Sequence, residues 1–492
     1  SIMHYAAMSP VFNAFELTVR KLTDGAFAPN GSEPNFCIQC HSPTGVFENE
    51  LPDYVDAATA LPARESLSPV NQNGLSCDFC HSVTGPDLEG SLLGDGIANA
   101  SLEFAPGDVK IGPIDDPVES AYHASTGSDF IRSPDFCGAC HDVRIPKPDV
   151  ITGEPFQRLE NLFTEWQNGP YNSTDNPYGK IIRCQDCHMS FYPMTEPGVF
   201  PSMTLGLGID APLRPHAIHA FTAVSIPFID DPRFPNIDSD KTGPWGFPRG
   251  QHQRRTQMLR AACTLTLDGT PDTIPSDSDT IPVRVVVENV GAGHRVPTGF
   301  SQERQVWIEL TVRDDAGLIY ESGYLRDKAH PETGEFAPDG RLHDEDLGDR
   351  HFTVDLATLN THFEPGPDRN QRPEVNLGIM NFQNEFQRIH PDGTREPVIN
   401  PLLADHMDNT HSLDMLKPMT VPYDIPVPTR GITGAIRVTA RLRYRTFPPE
   451  FLRILAQREP DLVSEDTVDR NTIVDMAEAA TTITLRRTAA AR

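Results

Sequence analysis

The sequence predicts an α+β, multidomain fold: a loop-rich region of short helices over residues 1–258, then an antiparallel, Ig-like β-sandwich over 259–492. Three observations lead there. At 492 residues the chain exceeds what one hydrophobic core ordinarily serves. Its first half is punctuated by Gly and Pro, as in Leu205-Gly206-Leu207-Gly208 and Asp231-Pro232-Arg233-Phe234-Pro235, with little periodic apolar pattern. From about residue 259 the texture turns to alternation of apolar and polar residues.

In chain order, helices are predicted over 10–22 and 155–168, with shorter ones around the cysteine motifs described below. Val283, Val285 and Val287 share one face of a strand. Val306, Ile308, Leu310 and Val312 share a face of the next. The segment Gly291-Ala292-Gly293-His294-Arg295-Val296-Pro297-Thr298-Gly299 is a tight turn between the two. Residues 326–420 are weakly patterned and read as long insertions. Ile436, Val438, Ala440, Leu442 and Tyr444 then alternate against Arg437, Thr439, Arg441, Arg443 and Arg445. A short helix over 449–457 and a last strand over 481–485 complete the second region.

Eight of the nine cysteines fall into four copies of one pattern. The copies are Cys37-Ile-Gln-Cys40-His41, Cys77-Asp-Phe-Cys80-His81, Cys137-Gly-Ala-Cys140-His141 and Cys184-Gln-Asp-Cys187-His188. C-x-x-C-H is the haem c attachment signature. Two thiols three positions apart lie on one side of a helical turn and can bond both vinyl groups of one porphyrin, while the next residue aims its imidazole at the iron. A redox disulfide or half a zinc site also uses C-x-x-C, but neither requires His after the second Cys in four copies out of four. Four covalently attached haems c are therefore expected. Cys263, the ninth cysteine, reads as a buried residue at the start of the second region.

Four haems create a demand for about four further axial ligands. The candidates are His4, ahead of the 10–22 helix; His123, before the third motif; His219, after the fourth; and His294, in the glycine-rich turn. A loop carrying His294 could reach a haem and join the two regions by coordination. His216 competes with His219, and His252 is a reserve. Met8, Met189 and Met194 are alternative ligands of a kind that raises the potential. His330, His343, His351, His362, His390, His406 and His411 lie in polar, loop-like sequence and read as surface residues.

The formal net charge is −28, which disfavours nucleic acid and anionic lipid and suits a basic redox partner or a soluble secreted protein. No apolar run approaches the length of a membrane span. The chain opens at Ser1 without a leader, which reads as a mature form after signal cleavage, in a periplasmic or extracellular setting.

The motifs, with Phe136-Cys137-Gly138-Ala139-Cys140-His141-Asp142, His4-Tyr5-Ala6-Ala7-Met8-Ser9-Pro10 and Gly293-His294-Arg295-Val296-Pro297-Thr298-Gly299, resemble a broad family of tetrahaem and larger multihaem c-type cytochromes. In that family an N-terminal haem domain, similar to cytochromes that accept electrons from hydroxylamine oxidation, can precede a β-rich domain. The resemblance implies closely packed, mostly bis-His haems that relay electrons between partner proteins. Three functions are weighed on it: a secreted carrier or subunit of an electron-transfer complex, an extracellular filament-forming conductor, and a multihaem reductase or oxidase with one open iron. The filament reading gives His4 a role as donor to a neighbouring copy. The enzyme reading lacks a C-x-x-C-K motif and a larger haem cluster, so electron transfer without catalysis is the leading expectation.

Overall fold

A computed structural model of the chain describes residues 2–24, 36–51, 56–118, 120–204, 211–323 apart from 227, 229–231 and 235–236, and 380–486 apart from 399 and 426–428. Between 324 and 379 it describes the backbone of four short strands. His330, His343 and His351 lie outside the described residues, as does Leu205-Gly206-Leu207-Gly208, and nothing is described of the side chain of His362.

The first helix, α1 (Pro10–Leu22), starts where the local chemistry directs. The Ser9 hydroxyl accepts from Phe12 N at 3.3 Å, and Pro10 occupies the first turn, where its missing N–H costs nothing. Arg20 and Lys21 fall in the last turn, where positive charge suits the helix dipole. Its buried face packs through Val11 and Ala14 on Phe451, Leu452 and Leu455 of a helix near the other end of the chain, Pro449–Arg458. Lys21 pairs with Glu459 at 2.8 Å beside that contact.

The rest of the first half is built from helices of three to six residues and two-stranded sheets. Residues 155–168 correct the expectation of one helix. Gln157–Glu160 is a strand paired antiparallel with Val143–Ile145, and only α2 (Leu162–Gln167) is helical. Phe156 and Leu159 are buried, and Arg158 fans over the Phe156 ring to reach Glu154 and Thr164.

A helix with no apolar periodicity, α3 (Gln251–Ala262), precedes the strands and runs directly into β1 (Cys263–Thr266), so the predicted change of texture at 259 falls inside it. Arg255 is its anchor: buried, it donates to Thr472 O at 2.8 Å and lies over the Tyr444 ring. The helix Pro449–Arg458, here α4, matches its predicted span within one residue.

Five strands form one sheet. They are β2 (Thr273–Pro275), β4 (Gln305–Arg313), β5 (Leu318–Ser322), β10 (Ile436–Arg445) and β11 (Val474–Arg486), in the order β2-β11-β10-β4-β5. A second sheet has β1 and β9 (Met419–Ile425) flanking β3 (Ile281–Asn289). All pairings are antiparallel except β2 with β11, which is parallel. A third, small sheet orders β7 (Arg395–Val398), β6 (Glu385–Ile389) and β8 (His406–Asp408). The architecture is thus α+β, with many small sheets around two larger ones.

The period-two pattern is realised in full. Val283, Val285 and Val287 of β3, Val306, Ile308, Leu310 and Val312 of β4, and Ile436, Val438, Ala440 and Leu442 of β10 are all fully buried in one apolar cluster. Burying each Val, Ile or Leu side chain among them contributes about 1.5–3 kcal/mol. Cys263 joins that cluster, where burial pushes its thiol up to about 12. On the outer face Arg441 and Arg443 meet Glu309, Glu478 and Asp475 across the strands.

The small sheet is tied to the first half by polar contacts. Asp149 accepts from Ile151 N, Thr152 N and Met407 N, and its carboxylate lies 2.9 Å from His406 Nδ1. Lys147 reaches Ala404 O and Asp405, and Gln157 Nε2 donates to Ala404 O at 2.9 Å. His406, expected on the surface, is therefore buried against a carboxylate. Burial raises the Asp149 pKa, but the hydrogen bonds from Thr152 and His406 outweigh it and hold the carboxyl below its ordinary value of 3.8. Asp149→Ala is expected to cost about 3 kcal/mol at neutral pH, as breaking a buried charged contact does. A depressed carboxyl stabilises above its unfolded pKa and ceases to as pH falls through the folded one. The deficit should therefore shrink below pH 3.8, which denaturant titrations across that range would measure; a deficit independent of pH contradicts the assignment.

Candidate functional site

Each cysteine motif sits on a short helical turn: Ile38–His41, Cys77–Cys80, Pro134–Gly138 and Cys184–His188. Local chemistry starts them. Ser76 Oγ accepts from Phe79 N at 3.1 Å, and Asp186 Oδ2 accepts from Arg183 N at 2.8 Å. In the third motif Gly138 is dictated by packing, because a Cβ there would lie 2.5 Å from the Phe163 ring of α2.

The four motifs are gathered in one region. Cys140 lies beside Cys40, Cys137 beside Cys184, and Cys80 near Cys140. The imidazoles follow the same order, His41 near His141 and His141 near His188. The third motif is the hub.

The histidines are oriented through their inner nitrogens. Nδ1 of His41 donates to Ala6 O at 3.1 Å, that of His81 to Ile111 O at 2.6 Å, and that of His188 to Thr222 O at 2.6 Å. His219 Nδ1 likewise meets Ala217 O at 2.9 Å, and His294 Nδ1 meets Arg295 O at 3.0 Å. An N–H committed to a carbonyl at Nδ1 leaves Nε2 as the free lone pair, the usual arrangement of a metal-binding histidine. Burial lowers the pKa of His41, His141 and His294 to about 4, and lowers those of His188 and His219. All five are held neutral at pH 7, as a ligand must be.

Two predicted ligands face motif histidines. The rings of His81 and His219 have centroids 6.2 Å apart, and those of His188 and His294 are 6.4 Å apart with planes only 18° from parallel. Metal–imidazole bonds of about 2.0 Å, with roughly 1.2 Å more from nitrogen to ring centre, put two imidazoles on one metal about 6.4 Å apart. The residues fit the expected group at both places. His219, not its competitor His216, is the ring facing His81; His216 lies 5.7 Å from His219.

The other two candidates have different surroundings. His4 is half-buried, packs edge-on to Phe234 at 6.2 Å and bonds near Asn73 and Leu75; its short helix also supplies Ala6 O to His41. Burial lowers its pKa. His123 lies between exposed residues with its Nδ1 at 3.1 Å from Ala124 O and 3.2 Å from Ser125 Oγ. The reserve His252 pairs with Asp238 at 3.1 Å.

The His294 turn is fixed from the first half at four points. Tyr171 OH donates to Val290 O and Tyr192 OH to Gly291 O, at 2.6 and 3.0 Å. Glu165 Oε2 accepts from Arg295 N at 3.0 Å and from the Thr298 hydroxyl at 2.6 Å. Gly291 is required because a Cβ would lie 2.0 Å from Ala261 O. None of the four hydrogen bonds was legible in sequence spacing, since each joins residues more than ninety positions apart.

A crystal structure of a penta-haem cytochrome c552 from Thermochromatium tepidum has a similar fold: TM-score 0.53, 16% identity, covering 98% of this chain and 94% of that one. No protein-family model and no curated protein matches the chain.

Burial raises the Glu165 carboxyl to about 7 from its ordinary 4.5. The folded chain therefore holds that proton more tightly than the unfolded one, and stability falls as pH rises from 4.5 to about 7. Glu165→Gln, which cannot ionise, is expected to flatten that part of the stability curve. Thermal melts through the range measure it; a wild-type slope in the variant overturns the account.

Proposed function

We propose that this chain is an electron-transfer protein carrying four thioether-linked haems c, working as a secreted carrier or as a subunit of an electron-transfer complex. The observation that carries this reading is the pairing of motif histidines with remote, carbonyl-locked histidines at a two-imidazole separation, in a fold shared with a multihaem cytochrome. Cys37 with Cys40, Cys77 with Cys80, Cys137 with Cys140 and Cys184 with Cys187 would hold the four groups. His41, His81, His141 and His188 would serve as proximal ligands, with His219 opposite His81 and His294 opposite His188.

When bound, such groups supply one-electron couples. The chain's own residues do the rest: the carbonyl-bound Nδ1 atoms aim the imidazoles, and burial keeps His188 and His294 unprotonated. Tetrahedral zinc has less support, since no three His, Cys, Asp or Glu side chains converge as a metal site among the described residues. No described helix is long and apolar enough to cross a membrane.

We read residues 1–258 as the haem domain and 259–492 as a β-sandwich domain, with β3 and β4 in its two sheets and their loop bringing His294 to the first domain. The finer kinship, to cytochromes that accept electrons from hydroxylamine oxidation, is part of the same proposal and rests on the motif sequences. A periplasmic or extracellular setting follows from covalent haem attachment.

The test is haem stoichiometry and spin state. Protein produced with a cytochrome c maturation system should carry four haems per chain by intact mass and pyridine haemochrome. His219→Ala and His294→Ala should each convert about one quarter of the low-spin iron to a high-spin, carbon-monoxide-binding form. Absence of covalent haem defeats the proposal, and unchanged spectra remove the residue concerned.

A further inference from the structure

Resting on that reading, we propose that His411, rather than His123, supplies the second axial nitrogen at the third motif, opposite His141. The sequence around it, Asp408-Asn409-Thr410-His411-Ser412, is polar and looks like surface. The structure differs. His411 Nδ1 donates to Gln383 O at 3.2 Å, the same carbonyl lock seen on His81, His188, His219 and His294. Its Nε2 is sealed from solvent and has no hydrogen-bond partner among the described residues. A buried, unpaired ring nitrogen costs about 1–3 kcal/mol unless something occupies its lone pair.

Position identifies the occupant. Val296 and Leu413 form an isolated antiparallel bridge, with N–H groups donated both ways at 3.1 and 2.7 Å. His294 lies two residues before one member of that bridge, and His411 two residues before the other. The two imidazoles are thus delivered from opposite ends of one clamp. His294 faces the fourth motif. The other end, across from Thr298, we assign to the third, whose His141 lies near His294. Thr298 and Arg295 are held by Glu165 of α2; the preceding Thr164 donates its N–H to Asp142 Oδ1 at 3.2 Å, and Phe163 N donates to His141 O at 3.1 Å. Arg295 Nη1 closes the circuit by donating to Asn409 O at 2.8 Å, two residues from His411.

Elimination agrees. His81 and His188 already face His219 and His294, and His4 stands on the short helix whose Ala6 O holds His41. The third motif is left. His123 immediately precedes a strand pair that touches the second motif instead: Val109 pairs with Ala124, and Ile111 O holds His81. Its Nδ1 also meets a carbonyl, Ala124 O at 3.1 Å, and Ser125 Oγ at 3.2 Å, but its neighbours are exposed and its ring offers no sealed, unpaired nitrogen of the kind found on His411.

The test uses the haem-loaded full chain and low-temperature EPR with carbon monoxide titration. His411→Gln keeps a polar side chain but removes the imidazole. It is expected to convert one of four low-spin haems to a high-spin, carbon-monoxide-binding form, restored by added imidazole, while His123→Ala leaves all four low-spin. His411→Met, which can still ligate, should stay low-spin with a raised potential for one haem, and serves if the Gln variant folds poorly. In a Cys137→Ala, Cys140→Ala background, which lacks the third thioether-linked haem, His411→Gln should change nothing further. An unchanged His411→Gln spectrum, a conversion in His123→Ala, a His411→Met potential unaltered at every haem, or a further conversion in the cysteine background each overturns the assignment. A wild type lacking four haems defeats the underlying function instead, so the two failures are distinguishable.

Discussion

The structure depends on one polar contact across its middle, the buried Glu165 carboxyl that accepts both Arg295 N and the Thr298 hydroxyl. It stands on the helix that docks against the third cysteine motif and grips the turn that presents His294. A loop with three glycines would otherwise sample many conformations, at a cost of about 1–2 kcal/mol per residue on ordering. Two tyrosine hydroxyls and one carboxyl hold it by its backbone, so side-chain direction at His294 is inherited from the frame. The constraint couples the folding of the strands to the geometry of the motifs.

That coupling explains why the two halves are built so differently. The strand region carries its own apolar cluster, with rows of fully buried Val, Ile and Leu from two sheets. The motif region has only small clusters, such as Phe163, Trp166 and Tyr171 around the third and fourth motifs, and many turns. A stretch of that kind gains order from neighbours and from whatever its cysteines bind. The polar seam from Asp149 to β8 and the α1–α4 contact add two further ties to the second half. Polar ties of this sort specify orientation more than they add stability, because burying charge is costly unless every partner is met.

How much of this could be read from the sequence varied with how local the cause was. α1 was legible to the residue because Ser9-Pro10 and its apolar face lie within it. The strands β3, β4 and β10 were legible because alternation is local, and the motifs because four repeats of Cys-x-x-Cys-His admit few chemistries. The 155–168 segment misled because Phe156 and Leu159 suit either period, and pairing with Val143–Ile145 decided for a strand. α3 was invisible because its anchor is a buried Arg255, which periodicity counts as surface. His406 and His411 were placed on the surface for the same reason: polar neighbours conceal burial when the partners are a carboxylate or a carbonyl from a distant element.

The histidine geometry carries a last consequence. An imidazole offered to a metal must be neutral, correctly tautomeric and aimed, and each requirement costs free energy if met only at binding. Here the backbone carbonyls at Ala6, Ile111, Thr222, Ala217 and Arg295 fix the tautomer, and burial removes the charge at His41, His188 and His294. The near-parallel rings of His188 and His294, 6.4 Å apart, therefore come from separate regions already disposed as a pair. Motion on charge transfer is least where ligands are held by the fold rather than by the ion. Under the proposed function, a centre set between rings held in this way would change oxidation state with little rearrangement of the chain, the property an electron relay needs.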